Sequence, residues 1–152
     1  MAAYFFDTSA LVKHYHTEAG SSEIDQILDE SGAFFAISRL TMAEMTSVFA
    51  KKVRTGEIID RDFEVLRIRF FADIRSRFFK PIRILNTHFE LAGELIARHG
   101  KTQQIHTLDA IQLSVALLLD ESIRMDKFIC ADQRLCSIAS LEGLSVLNPE
   151  LS

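Results

Sequence analysis

Four carboxylates draw attention by where they fall in the chain: Asp7, Glu44, Asp109 and Asp132. Asp7 ends the apolar run Tyr4-Phe5-Phe6, and Asp132 follows the run Lys127-Phe128-Ile129-Cys130-Ala131. Glu44 lies in Leu40-Thr41-Met42-Ala43-Glu44 and Asp109 in Thr107-Leu108-Asp109-Ala110, each at the opening of a helical pattern. Taken singly, each has a plain structural role. Asp7, Thr8 and Ser9 are all good N-cap residues. Thr41-x-x-Glu44 matches a capping box, and Asp109 suits the positive end of a helix dipole. Taken together, they have a chemical role. Carboxylates crowded in a low dielectric cannot all ionise unless protons or a cation supply counter-charge. Oxygen ligands without Cys or His beside them select Mg²⁺ or Mn²⁺ over zinc. A carboxylate-held Mg²⁺ with open water positions suits phosphoryl chemistry. Thr8 and Ser9 are placed to hold a water or a phosphate oxygen at such a site.

Whether the four acids meet depends on the elements that carry them. Apolar runs predict strands at residues 4–6, 33–37, 82–85, 127–131 and 144–147. Between them, helical patterns cover about residues 9–16, 21–30, 41–53, 60–79, 89–99, 111–119 and 134–141. Strands alternating with helices give the α/β class, a parallel sheet of about five strands covered on both faces. No linker or repeat divides the chain, so residues 1–152 read as one domain. Ligand sites in such folds lie at the carboxyl ends of the strands. Asp7 and Asp132 share that edge if the strands are parallel, and the helices of Glu44 and Asp109 can bring their first turns to it.

Composition sets limits on function. A net charge of −4 argues against a protein that coats nucleic acid through bulk charge, though not against an enzyme with a local basic face. Cys130 and Cys136 form no C-x-x-C pair, Cys130 reads as buried, and a reduced, cytoplasmic protein is expected. The N-terminus lacks the pattern of a signal peptide, and the longest apolar run, residues 115–119, is far too short for a membrane span. His14 and His16 face different sides of a helix and suit no shared metal. Lys13 reads as a solvated side chain within reach of a phosphate. Residues 63–79 are rich in Phe and Arg and present an apolar face wider than one stripe, which calls for burial on more than one side. G-x-x-x-x-G-K-[ST], G-x-G-x-x-G and G-x-S-x-G are all missing.

Four segments in order, Phe6-Asp7-Thr8-Ser9-Ala10-Leu11-Val12-Lys13, Leu40-Thr41-Met42-Ala43-Glu44, Thr107-Leu108-Asp109-Ala110-Ile111-Gln112-Leu113 and Phe128-Ile129-Cys130-Ala131-Asp132-Gln133-Arg134-Leu135, closely resemble the PIN-domain ribonucleases. The closest likeness is to the VapC-type toxins of toxin–antitoxin pairs, and it spans essentially the whole chain. The resemblance implies a metal-dependent endoribonuclease using Mg²⁺ or Mn²⁺. In it, Asp7, Asp109 and Asp132 would anchor the metal, and Glu44 would complete the pocket and orient the attacking water. Ser9, and less closely Thr8, match the polar residues beside the first acid. It further implies an RNA substrate, a cognate antitoxin and a homodimer, with the Phe-rich stretch 63–79 as part of the dimer or antitoxin surface. Gln112 stands where many members carry His, a departure outside the acidic set. The competing readings are a PIN-like binding or scaffold protein without catalysis, and four unrelated helix caps scattered over the surface.

Overall fold

The computed structural model describes residues 1–151. Its sheet contains β1 (Ala3–Phe6), β2 (Phe34–Ser38), β3 (Lys80–Ile82), β4 (Lys127–Ile129) and β5 (Val146–Leu147). All pair in parallel, in the order β3-β2-β1-β4-β5. The intervening helices are α1 (Thr8–Tyr15), α2 (Ser21–Leu28), α3 (Arg39–Arg54), α4 (Asp60–Arg75), α5 (Asn86–His99), α6 (Thr107–Ser122) and α7 (Gln133–Leu141). The chain starts at the sheet's centre, works outward through β2 and β3, then returns to the far side of β1 for β4 and β5. The reversal falls between β1 and β4, the kind of junction where such sheets open a crevice.

Continuous apolar runs make these strands because both faces of the sheet are covered. Side chains alternate across it. Phe6, Ile37 and Ile129 pack on one face with Leu11, Met45, Phe49 and Phe70 of α1, α3 and α4. Phe5, Ala36 and Phe128 pack on the other with Leu95, Leu113 and Leu135 of α5, α6 and α7. The Phe-rich composition is used here: Phe5 stacks on Phe128 at 5.8 Å, and Phe6 meets Phe79 edge-on at 6.2 Å.

Three expectations need correction. The third strand is Lys80–Ile82 rather than residues 82–85. Pro81 is accommodated because β3 lies at the sheet's edge, where proline's missing N–H is tolerated. The helix expected to reach residue 79 stops at Arg75. Arg77 adopts a left-handed φ of 64°. Its N–H donates to the Ile74 carbonyl and that of Phe78 to the Asp73 carbonyl, a Schellman cap that swings Phe79 into the core. Lys13 is not solvated but buried, 3% exposed, with its Nζ 2.9 Å from Glu18 and 3.0 Å from Glu150. Lys52, also buried, donates to the other Glu18 oxygen at 3.0 Å. On α4, Leu66 and Phe70 are buried while Val65 and Ile68 remain exposed.

Candidate active site

Asp7 directly follows β1. Its backbone N–H extends the ladder by donating to the Ile129 carbonyl at 2.9 Å, and its side chain caps α1 by accepting from the Ser9 N–H at 3.1 Å. The same Oδ2 accepts from the Ser9 hydroxyl at 2.5 Å. Ser9 Oγ in turn accepts from the Ala131 N–H at 3.0 Å. The Ser9 hydroxyl therefore ties Asp7 to the loop between β4 and α7, which carries Asp132. Asp132 caps α7 through Oδ1, accepting from the Arg134 and Leu135 N–H groups. Asp109 lies in the first turn of α6, where the His106 backbone supports it.

Glu44 is held differently from the expected capping box. β2 runs into α3 without a loop, so Ser38 takes the N-cap position and both Thr41 and Glu44 fall inside the helix. Their side chains belong to a buried polar network instead. Glu44 Oε1 accepts from Thr8 Oγ1 at 2.8 Å and from Gln112 Nε2 at 2.9 Å. Gln112 Nε2 also reaches Thr41 Oγ1 at 2.8 Å and Thr8 Oγ1 at 3.1 Å, and its carbonyl oxygen accepts from the Ser38 hydroxyl. Ser38 makes no side-chain cap bond because its hydroxyl is used here.

All four acids, with Thr8 and Ser9, line one cavity of about 470 Å³ at the carboxyl edge of the sheet. Leu40, Ala43, Val48 and Leu108 supply its apolar walls. Burial pushes the Asp7 carboxyl up to about 6; the two Ser9 hydrogen bonds pull it down, and the Glu44 and Asp109 charges raise it further. Burial also raises Glu44, against the bonds from Thr8 and Gln112 and with help from Asp109. Asp109 is raised by burial and then by Asp132. Asp7, Glu44 and Asp109 thus each feel the charge of another acid. Even so, among the described residues no three His, Cys, Asp or Glu side chains are arranged so as to hold a metal ion. One oxygen each of Asp7, Glu44 and Asp132 is turned to a hydroxyl, amide or backbone N–H instead.

The sequence matches the PIN domain family over residues 4–141. The chain belongs to the PIN domain family. A comparison with curated protein sequences finds no match. Among solved structures, VapC20 of Mycobacterium tuberculosis, described as a sarcin-ricin loop cleaving toxin, superposes with a TM-score of 0.67 at 16% identity, covering 96% of this chain and 99% of that one. VapBC2 of Rickettsia felis, bound to a promoter DNA fragment, gives 0.63 at 15% identity over 96% of this chain and 98% of that one. FitAcB of Neisseria gonorrhoeae gives 0.64 at 16% identity over 96% and 97%. At these identities the likeness is one of fold.

Within this PIN domain, the residue that sequence reasoning undervalued is Gln112. Set aside as a departure from a common His, it is 1% exposed and links α6 to Ser38, Thr8, Thr41 and Glu44. The available signal was its polarity in the otherwise apolar run Ala110-Ile111-Gln112-Leu113 of a buried helix, since a buried amide needs partners. Cys130 is buried as expected and lies between two of the acids, its Sγ 3.8 Å from Asp7 Oδ2 and 3.4 Å from the Asp132 N–H nitrogen.

Proposed function

We propose that this PIN domain is a metal-dependent endoribonuclease acting as the toxin of a toxin–antitoxin pair. The observation that carries the nuclease reading is the gathering of Asp7, Glu44, Asp109 and Asp132 from four separate segments around one cavity, with Asp7, Glu44 and Asp109 each raised in part by the charge of another acid. The donor chemistry fits Mg²⁺ or Mn²⁺: hard oxygens, partly desolvated, in a cavity lined by no Cys or His. Asp7, Asp109 and Asp132 would hold the ion, with Glu44 as a direct or water-mediated ligand. Once bound, such an ion supplies a nucleophile at neutral pH and stabilises charge on phosphate oxygens.

The chain's own residues do the rest. Ser9 fixes Asp7 through its hydroxyl and its N–H, and Ala131 fixes Ser9. Thr8 and Gln112 orient Glu44 by taking one of its oxygens, leaving the other to accept a proton from the attacking water. Burial, and after it the Asp109 charge, raise Glu44, which strengthens it as a base. A neighbour described as cleaving a sarcin-ricin loop supports RNA as substrate. The fold shared with toxin–antitoxin complexes from Klebsiella pneumoniae and Salmonella typhimurium supports an antitoxin partner. A homodimer would cover Val65 and Ile68, exposed on α4. No helix among the described residues is long and apolar enough to cross a membrane.

The deciding experiment is cleavage of a mixed RNA pool by purified protein with Mg²⁺ or Mn²⁺, with EDTA, and with Asp7→Asn. Metal-dependent cutting lost in the variant is the expected result. The second reading is a PIN domain that binds RNA without catalysis; among the described residues no three side chains are already arranged around an ion. RNA bound but left intact by folded, antitoxin-free protein in either metal would establish it.

A further inference from the structure

Two thiols that the proposed chemistry leaves unused flank Asp132 in the chain. Cys130, directly after β4, is fully buried. Its Sγ lies 3.4 Å from both the nitrogen and the carbonyl oxygen of Asp132, 3.7 Å from Ser9 Oγ and 3.8 Å from Asp7 Oδ2. Cys136, on α7, turns back toward it and donates to the Cys130 carbonyl at 3.1 Å. The two side chains also hydrogen-bond to each other. Only residues 131–135 separate them, and Asp132 is among these. Cys136 is half-buried and lines a cavity of about 580 Å³, together with Ser137 and Ser140 of α7 and with Val146 and Asn148. A small solute in that cavity meets Cys136, while Cys130 stands behind it against the acidic site. The bond with Cys130 lowers the Cys136 thiol, which favours the thiolate that reacts with oxidants.

We propose that Cys130 and Cys136 are a peroxide-responsive dithiol whose oxidation to an intramolecular disulfide disables the acidic site by displacing the loop that carries Asp132. The Cys136 sulfur attacks one oxygen of hydrogen peroxide and breaks the O–O bond. The hydroxide that leaves takes up a proton and becomes water, and Cys136 is left as a sulfenic acid. The Cys130 sulfur then attacks the Cys136 sulfur, the S–O bond breaks, and the departing hydroxide leaves as water with the Cys130 proton. Two thiols and one peroxide thus give one disulfide and two waters. An adjacent resolving thiol is what directs a sulfenic acid to a disulfide. A covalent S–S bond holds the sulfurs closer than a thiol hydrogen bond does, so Cys130 must turn toward α7. It then abandons the Asp132 backbone and Asp7 Oδ2. The neighbouring Ala131 N–H, which holds Ser9 Oγ at 3.0 Å, moves with it.

The switch rests on the ribonuclease reading for its effect on cleavage, but the disulfide is detected without catalysis. The protein would be treated with hydrogen peroxide, freed of it, alkylated and mapped by mass spectrometry. A Cys130–Cys136 linkage that dithiothreitol removes is the expected product. Amide hydrogen exchange at Ala131 and Asp132 should be faster in the oxidised form. RNA cleavage in Mn²⁺ should fall at least about tenfold on oxidation and return on reduction. Cys136→Ser and Cys136→Ala should cut like the reduced wild type and ignore the same peroxide treatment. Cysteines oxidised without the linkage, a linkage that leaves cleavage unchanged, or variants that peroxide inactivates equally would overturn the switch. Reduced protein that cuts nothing would instead fail the nuclease reading. In that case the linkage with faster exchange at the two amides upholds the displaced loop, and the linkage without it refutes the displacement.

Discussion

Replacing Asp7 by Asn should stabilise the metal-free protein. The Asp7 carboxyl is 5% exposed and raised from 3.8 to about 6, chiefly by burial and then by the Glu44 and Asp109 charges. The folded state thus holds this proton more tightly than the unfolded chain does. Below the unfolded value the group is neutral in both states and costs nothing. The penalty grows between the two values and is complete above about 6. A displacement of this size corresponds to about 3 kcal/mol at neutral pH. Asn keeps an oxygen for the two Ser9 bonds, so most of that penalty should be recovered, a rise in Tm of roughly 5–10 °C for a chain of this length. The assay is thermal unfolding in EDTA from about pH 4 to about pH 8. The variant's advantage should be small at the acid end, widen as pH rises and level off near neutrality. Millimolar Mg²⁺ should then raise the Tm of the wild type and not of the variant, because only the ionised site gains a bound ion. An Asn variant less stable than wild type at neutral pH, or a gain that does not change with pH, would refute the reasoning.

Gln112→Ala should destabilise by about 2–3 kcal/mol in urea unfolding, since it strips a partner from Ser38, Thr8, Thr41 and Glu44 at once. The same variant should slow RNA cleavage, and a full rate in a single-turnover assay would show that Glu44 needs no such support. Glu18→Ala should cost about 2 kcal/mol by the same denaturation measurement, because it removes the acid that the buried Lys13 and Lys52 share and leaves them only Glu150 and a 3.9 Å approach of Glu57. Arg77→Gly should add roughly 0.5–1 kcal/mol, since glycine occupies a left-handed position without the side-chain clash; a lower urea midpoint would contradict it.

Four of the five strands could be read from the sequence because each holds an apolar run ending at a polar residue, and the parallel class followed from the alternation with helices; β3, with Lys80 and Pro81, holds no such run and was misplaced. Asp7 and Asp132 were legible for the same reason: each directly follows such a run. Glu44 was found for partly the wrong cause. Its spacing from Thr41 imitates a capping box, and nothing local reveals that β2 continues into α3 without a loop. Lys13 escaped because its partners, Glu18 and Glu150, come from a loop and from the far end of the chain, and no periodicity reports such pairings. The end of α4 was misplaced because Arg77 holds the left-handed position usually given to glycine, so the stop carries no signature in residue type.

The strand order has a consequence for synthesis. Asp7 and Glu44 leave the ribosome in the first third of the chain, but they sit beside β2 and β1, which still lack their neighbour on the far side. Asp109 and Asp132 arrive only with α6 and the loop after β4, and the Ser9 tie needs Ala131. A nascent chain that has exposed everything through α5 therefore holds half the acids and no closed pocket. Whatever the cavity does, it does only after nearly the whole polypeptide has been made. A translating ribosome thus carries a fragment without the pocket, and a closed pocket belongs only to chains that have passed the loop between β4 and α7.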